Sequence, residues 1–419
     1  MRNRPHPSFS AVILSASGVI NMDLCIYPHL LQGTLRVIPS KSQAHRLLIC
    51  AALADGPTEL ICPQTSRDMD ATADCLNALG ASITRTQTGY HIQPIRTLPE
   101  EAILPCQESG STLRFLLPLA GALGMQARFC MEGRLPQRPL NPLWEEMERM
   151  GCRLSRPEPD TILCQGRLKP GLYQIPGSIS SQYITGLLFA LPLLDGSSQL
   201  EVTGVLESRP YVDMTRQALE HFGVQAAIGP ILGRQTFRSP GTLPVEGDWS
   251  NAAFFLAAKA LGSGLDIQGL SDESLQGDRA VAELLPNLQE RITICARDIP
   301  DLVPILAVFA AFHQGAVFTG IRRLRMKESD RVASILAMIR SLGGQASCTD
   351  DTLTIGGGGL TGGCVDAMND HRIAMAAAIA ATRCRESVTI LGAQCVQKSY
   401  PGFWEEYSRL GGQYEQYLR

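Results

Sequence analysis

Six times along this 419-residue chain, a turn of polar residues or glycine runs into a helix of small apolar residues. The segments are IPSKSQAHRLLICAALA from Ile38, CQESGSTLRFLLPLAGAL from Cys106 and IPGSISSQYITGLLFALPLL from Ile175. The other three are VEGDWSNAAFFLAAKAL from Val245, DIPDLVPILAVFAAF from Asp298 and AMNDHRIAMAAAIAA from Ala367. Helices apolar nearly all round must be buried. Between them lie six helices charged on one face: MDATADCLNALG, LWEEMERMG, VDMTRQALEHFG, RAVAELLPNL, SDRVASILAMIRSLG and FWEEYSRLG. Five end at a glycine suited to the left-handed position after a helix: Gly80, Gly151, Gly223, Gly343 and Gly411. RAVAELLPNL has no such glycine and is read as running on to Gln289. Stretches such as ASITRTQTGYHIQPI and RLSRPEPDTILCQG read as hairpins. The repeating unit is therefore about 70 residues of strand, buried helix, strand, outer helix and hairpin. Six copies predict an α/β protein of two groups of three, each burying its first helices at a shared centre.

Composition narrows the function. Hydrophobic residues are 45% and charged residues 18%, ordinary for a globular chain with sizeable cores. Lys plus Arg is 37 against Asp plus Glu at 40, a net charge of −3, which argues against general nucleic-acid coating. No apolar run approaches the roughly 18 residues of a membrane span; Gly186 to Leu194 reads as a core helix. The 13 cysteines form no C-x-x-C pair and read as reduced thiols of a cytoplasmic protein. The seven histidines give no zinc spacing, so no metal is expected. Residues 1–21 join Arg2 and Arg4 to an apolar stretch from Phe9 to Ile20, in the manner of a secretory leader. The cysteine usage speaks against that, and Met22 opens a second plausible start, so 1–21 is taken as an extension outside the fold.

Charge sits where it is least expected. Helix N-termini are already positive, yet Lys41, Arg46, Arg114 and Arg372 lie in the first turns of buried helices. Arg134, Arg138, Arg209, Lys327, Arg331 and Lys398 fall in turns. Recurrence at equivalent points of a repeat would gather these cations in one cleft, a receptor for phosphate or carboxylate. Ser42, Ser180, Ser181, Gln182, Ser208 and Tyr211 suit a phosphorylated polyol beside them. Gly357 to Gly362 fits G-x-G-x-x-G, but no helix opens at its last glycine, so it reads as a hairpin turn. No G-x-x-x-x-G-K-[ST] loop occurs.

These residues carry a resemblance. PSKSQAHR, ESGSTLR, GRLPQRP, SISSQY, SRPY, VEGDWS, IPDLVP, RMKESDR, NDHRIAM and VQKSYP, in this order from about Leu35 to Arg409, resemble the signatures of the enolpyruvyl transferases. The resemblance is strongest to the branch whose acceptor is shikimate 3-phosphate. It implies a two-lobed inside-out α/β barrel (an inverse β-prism), three repeats per lobe. Residues 41–246 would form a lobe inserted into one made of 22–40 and 247–419. It implies a monomer, without cofactor, membrane or nucleic acid, that transfers the carboxyvinyl group of phosphoenolpyruvate to the 5-hydroxyl of shikimate 3-phosphate.

Residue by residue, the resemblance places phosphoenolpyruvate at Lys41, Gly110, Arg114, Arg134, Gln182, Arg331, Arg372 and Lys398. It places shikimate 3-phosphate at Lys41, Ser42, Arg46, Ser180, Ser181, Gln182, Ser208, Tyr211, Asp301 and Lys327. Glu328 is the candidate acid to carbon, with Lys327 and Asp301 sharing the hydroxyl proton. Glu108, Phe115 and Arg323 depart from the residues common in the family, which are Asn, Pro and Asn. The sibling acting on UDP-N-acetylglucosamine is one alternative. It uses a loop Cys five residues before an Arg-Pro, where this chain has Gly133. The other alternative is a non-catalytic binder of phosphorylated ligands or RNA ends, since related repeats occur in RNA 3′-phosphate cyclases, which use a catalytic His.

Overall fold

A computed structural model describes residues 22–288 and 290–418; the expected extension at 1–21 and the continuation to Gln289 lie outside the described residues. The α-helices, in chain order, are α1 Lys41–Ala52, α2 Arg67–Ala78, α3 Gly110–Leu123, α4 Leu143–Arg149, α5 Ser181–Ala190 and α6 Arg209–His221. Then come α7 Trp249–Ala260, α8 Val281–Asn287, α9 Val303–Ala311, α10 Arg331–Ser341, α11 His371–Ala381 and α12 Phe403–Arg409. The odd-numbered helices are the six apolar ones; every residue of α9 and α11 is buried. Outer helices α2, α4, α6, α10 and α12 are each followed by their expected glycine, at φ between +72° and +112°. A β-carbon in that region is costly, so glycine ends the helix there.

The sheets repeat one strand order. In the second unit, Glu101–Gln107 pairs in parallel with Gln126–Met131; Thr161–Gly166 then pairs antiparallel with that strand and with Cys152–Ser155. The fifth unit follows the same order with Ile292–Cys295, Gly315–Thr319, Thr352–Gly356 and Ala346–Cys348. The first and fourth units exchange their leading strands. Gln32–Arg36, just before α1, pairs with Gly264–Gln268, which follows α7. Thr242–Pro244, just before α7, pairs with Thr58–Ile61, which follows α1. The sixth unit, Gly363–Asp366 with Val388–Leu391, is completed by Met22–Tyr27 and Gln413–Leu418 from opposite ends of the described chain. Pairings this distant in sequence cannot be read from local pattern.

Two hydrophobic cores result. One gathers residues between Ala44 and Phe237, around α1, α3 and α5. The other gathers residues from Leu24 to Ile38 and from Trp249 to Leu410, around α7, α9 and α11. The chain passes between them at two adjacent points that bond to each other: Ser40 N–H donates to the Glu246 carbonyl at 2.7 Å, and Asp248 N–H to the Ile38 carbonyl at 2.9 Å.

Inner-helix contact is tightest between α3 and α5. Pro118 has no N–H to give the Arg114 carbonyl one turn back, and Gly186 of α5 packs over that oxygen. A β-carbon at Gly186 would lie 2.3 Å from it and 2.9 Å from the Pro118 ring. Gly186→Ala is expected to lower stability by about 2 kcal/mol through overpacking, read as a shifted urea midpoint at unchanged m-value. An unchanged midpoint would mean the helices have slack.

Candidate active site

The inner helices bring polar N-termini to a common cleft. Ser40, Ser109 and Ser180 cap α1, α3 and α5, each side-chain oxygen accepting an N–H of its first turn. Asp248 and Asp370 cap α7 and α11. None of these five helices holds an acidic residue in its first turn. Around the cleft lie Lys41, Ser42, Arg46, Gly110, Arg114, Ser180, Ser181, Gln182, Ser208 and Tyr211 from the first core's elements. Facing them are Asp301, Arg323, Lys327, Glu328, His371 and Arg372 from the second.

On the first side, buried guanidinium groups are held by neutral oxygens. Arg46, 2% exposed, donates to Thr215 Oγ1 at 2.9 Å and to the carbonyls of Ser42 and Tyr211 at 2.6 and 2.8 Å. Its guanidinium lies 5.1 Å from the ring centre of Phe115, a position where proline would give no such face. Arg114 donates to the Gly110 and Pro139 carbonyls at 3.3 and 3.1 Å. Burial lowers both arginines to about 10. A β-carbon on Gly110 would sit 2.6 Å from Arg138 Nη1 and 2.7 Å from Arg114 Nη1, so only glycine lets both cations close over the α3 N-terminus. Burying positive charge against neutral dipoles is costly unless an anion completes the site.

On the second side, carboxylates and cations alternate. Asp301 accepts from Arg331 Nη1 at 2.7 Å, Tyr211 OH at 3.2 Å and Lys327 Nζ at 3.3 Å, and Arg372 Nη2 lies 3.4 Å away. Burial pushes this carboxyl up, but Arg372, Lys327 and Arg331 together hold it well below the usual range. The same contest at Glu328 is won by Arg331, Arg138 and Lys327, so Glu328 is ionised. Burial lowers the Lys327 ammonium, with Asp301 opposing. Asp278, behind the cleft, is raised to about 7 by burial and by the Asp301 charge. Such opposed shifts in one cleft mark a place for proton transfer.

Three expected residues lie elsewhere. Arg134 is exposed, at the start of the short turn Leu135–Gln137; its place in the cleft is taken by Arg138. Arg138 Nη1 lies 3.8 Å from Glu328, and its Nε donates to the Met326 carbonyl across the cleft at 3.2 Å. The signal was Pro139, whose carbonyl takes bonds from Arg114 and from Tyr183 OH and so pins the neighbouring arginine. Arg331 has a fully buried side chain behind the wall, bonded to Asp301, Glu328 and Asp370. Lys398 turns into an adjoining pocket, onto Glu108. Arg138 was expected among the cleft cations but not assigned to a substrate; sequence reasoning passed over Asp68, which pairs with Lys41 Nζ at 2.7 Å. It also passed over Ser111, which accepts from Gln182 Nε2 at 3.0 Å. Arg323 reaches Ser208 Oγ at 2.8 Å, placing its extra cation at the cleft.

Among the described residues no group of three or more His, Cys, Asp or Glu is arranged to hold a metal, and no helix is long and apolar enough to cross a membrane. The cysteines are all free thiols.

Known proteins share both the fold and the sequence. Two solved structures of EPSP synthase from Acinetobacter baumannii superpose with TM-scores of 0.78 and 0.76. Each covers 94% of this chain and 99% or more of its own, at 23% and 22% identity. They show the inverse β-prism fold. The 3-phosphoshikimate 1-carboxyvinyltransferase of Clostridium kluyveri is 39% identical over 420 residues, covering 94% of this chain and 98% of that protein. That of Clostridium acetobutylicum is 39% identical over 414 residues, covering 92% and 97%. The family model for EPSP synthase matches residues 27–298 and 289–407, the whole cleft included. The two-sided cleft of cations and carboxylates thus sits in a chain that belongs to the EPSP synthase, or 3-phosphoshikimate 1-carboxyvinyltransferase, family.

Proposed function

We propose that this chain transfers the carboxyvinyl group of phosphoenolpyruvate to the 5-hydroxyl of shikimate 3-phosphate, releasing phosphate, in the biosynthesis of aromatic amino acids. The observation that carries the reading is the pair of buried arginines, Arg46 and Arg114, bonded to neutral oxygens and facing Asp301, Lys327 and Glu328 across one cleft. Two anionic substrates complete the first side, and the second side moves protons between them.

Shikimate 3-phosphate is assigned to Lys41, Ser42, Arg46, Ser180, Ser181, Gln182, Ser208, Tyr211, Asp301 and Lys327. Phosphoenolpyruvate is assigned to Lys41, Gly110, Arg114, Gln182 and Arg372, with Arg138 in the place first given to Arg134. Arg331 and Lys398 complete that set when the cleft fills. Lys327 and Asp301 remove the 5-hydroxyl proton as its oxygen attacks C2 of phosphoenolpyruvate, and Glu328 protonates the methylene carbon. The tetrahedral adduct then loses phosphate while a methyl proton returns to the protein, and the arginines stabilise the departing charge. The reading includes residues 41–246 as one lobe and 22–40 with 247–419 as the other, in a monomeric cytoplasmic enzyme that needs no metal. Mass spectrometry of an incubation with both substrates should show shikimate 3-phosphate gaining a carboxyvinyl group; its recovery unchanged would refute the reading.

The ionised state of Glu328 gives a further prediction. Its proton is held off by Arg331, Arg138 and Lys327. Substrate anions that neutralise these cations raise its pKa. Substrate binding should therefore take up protons, seen by calorimetry in buffers of different ionisation enthalpy, and Glu328→Gln should abolish the uptake. Binding without uptake in the parent protein would remove Glu328 as the acid.

A further inference from the structure

Glu108 departs from the residue common at its position, and its contacts reach across the cleft. It lies two residues ahead of α3, and its Oε2 accepts from Lys398 Nζ at 2.8 Å and from Asn369 Nδ2 at 3.0 Å. Lys398 also donates to the Asn369 carbonyl at 2.8 Å. Glu108 stands beside the first core's helix α3, whereas Asn369 and Lys398 belong to elements of the second. The contact is built on both sides. Met368 and Asn369 hold φ of 51° and 53°, a left-handed pair that presents both the amide and the carbonyl of Asn369. A β-carbon on Gly133 would fall 2.4 Å from Glu108 Oε2, so that glycine makes room for the carboxylate. Lys398 is 7% exposed, and an ammonium so buried needs an anion. That anion is Glu108.

We propose that Glu108 is an internal stand-in for the substrate anion, holding Lys398 in the adjoining pocket until phosphoenolpyruvate takes its place. The proposal rests on the assignment of Lys398 to phosphoenolpyruvate. Glu108 acts through Lys398 and is a positioning residue. Filling the cleft exchanges one charge-assisted bond of the ammonium for another, so part of the attraction to substrate is spent on releasing Glu108. This weakens phosphoenolpyruvate binding selectively.

The test is calorimetric binding of phosphoenolpyruvate without shikimate 3-phosphate, so that no turnover occurs, on the full chain, with a single variant at each position and the double variant. Lys398→Met should weaken phosphoenolpyruvate binding at least about tenfold through loss of a charged bond. Glu108→Gln should tighten it about tenfold, leave shikimate 3-phosphate affinity unchanged, and have no effect in the Lys398→Met background. Glu108→Asn, shorter and neutral, should tighten binding likewise, which guards against a packing fault in one variant. Unchanged or weaker binding in both Glu108 variants would overturn the inference while leaving the Lys398 assignment intact. The same gain without Lys398 would also overturn it. If Lys398→Met binds as the parent does, the assignment falls and the inference with it.

Discussion

Asp301→Asn is expected to turn over about a thousandfold more slowly than the parent, within the range that loss of a positioned acid–base group costs. Asp301 is the anion that Arg331, Lys327, Tyr211 and Arg372 share. An amide keeps the shape but cannot take the hydroxyl proton. One end of it must also point an N–H₂ group at the donors that Asp301 now accepts from. Lys327, relieved of its nearest negative charge, is then pushed further down by burial and by the neighbouring arginines. The loss should fall on kcat, with KM values for both substrates moving much less. Steady-state kinetics on protein checked for cooperative unfolding decides it. A loss below tenfold would reduce Asp301 to a structural charge, and a change confined to KM would leave it only orienting substrate.

Arg331→Met should destabilise the protein by about 3–5 kcal/mol, the usual cost of removing one partner from a buried charge cluster. The guanidinium is fully buried and meets Asp370 Oδ2 at 3.0 Å, Asp301 Oδ1 at 2.7 Å and Glu328 Oε2 at 2.6 Å. Without it, the buried Asp370 and the partly buried Asp301 and Glu328 lose the cation they share. The same cluster sets the acid limit of the fold. Burial opposes ionisation of Asp301 and Glu328, but the surrounding cations win, and both pKa values lie below those of the unfolded chain. The unfolded state therefore binds these protons first. The stabilisation is complete above about pH 4 to 5 and is lost as pH falls through the lower folded values. Asp278 acts in the opposite sense: its raised pKa of about 7 favours the folded state at lower pH, and that contribution fades as pH rises toward 7. Urea midpoints from pH 7 to pH 3 should fall most steeply below pH 4 in the parent and less steeply in Arg331→Met. Equal acid slopes would place the sensitive charges elsewhere.

Where local chemistry decides structure, the sequence was enough. A helix apolar all round has only a core to occupy, and α9 and α11 are buried throughout. Gly80, Gly151, Gly223, Gly343 and Gly411 hold the left-handed angles their positions announced. Among the described residues the first strand is Met22–Tyr27. Long-range choices left no such trace. Nothing local tells Gln32–Arg36 to pair with Gly264–Gln268 instead of the strand after its own helix. Direction of side chains was also hidden. Arg134 and Arg138 share one turn, and only the carbonyl of Pro139, clamped by Arg114 and Tyr183, decides which arginine reaches the cleft. Arg331 and Lys398 are where their motifs predict along the chain, yet carboxylates of the protein itself claim them first. Protonation was least legible of all, because the charge of Glu328 depends on Arg138 from a distant turn as well as on Lys327 and Arg331 beside it.

Phosphate release from phosphoenolpyruvate, with shikimate 3-phosphate or UDP-N-acetylglucosamine as acceptor and EDTA present throughout, decides whether this chain is the proposed transferase. Phosphate should be released with shikimate 3-phosphate as acceptor and not with the nucleotide sugar, undiminished by the chelator. Release with the nucleotide sugar, loss of activity in EDTA, or silence with both acceptors from folded protein that still binds either anion would contradict that reading.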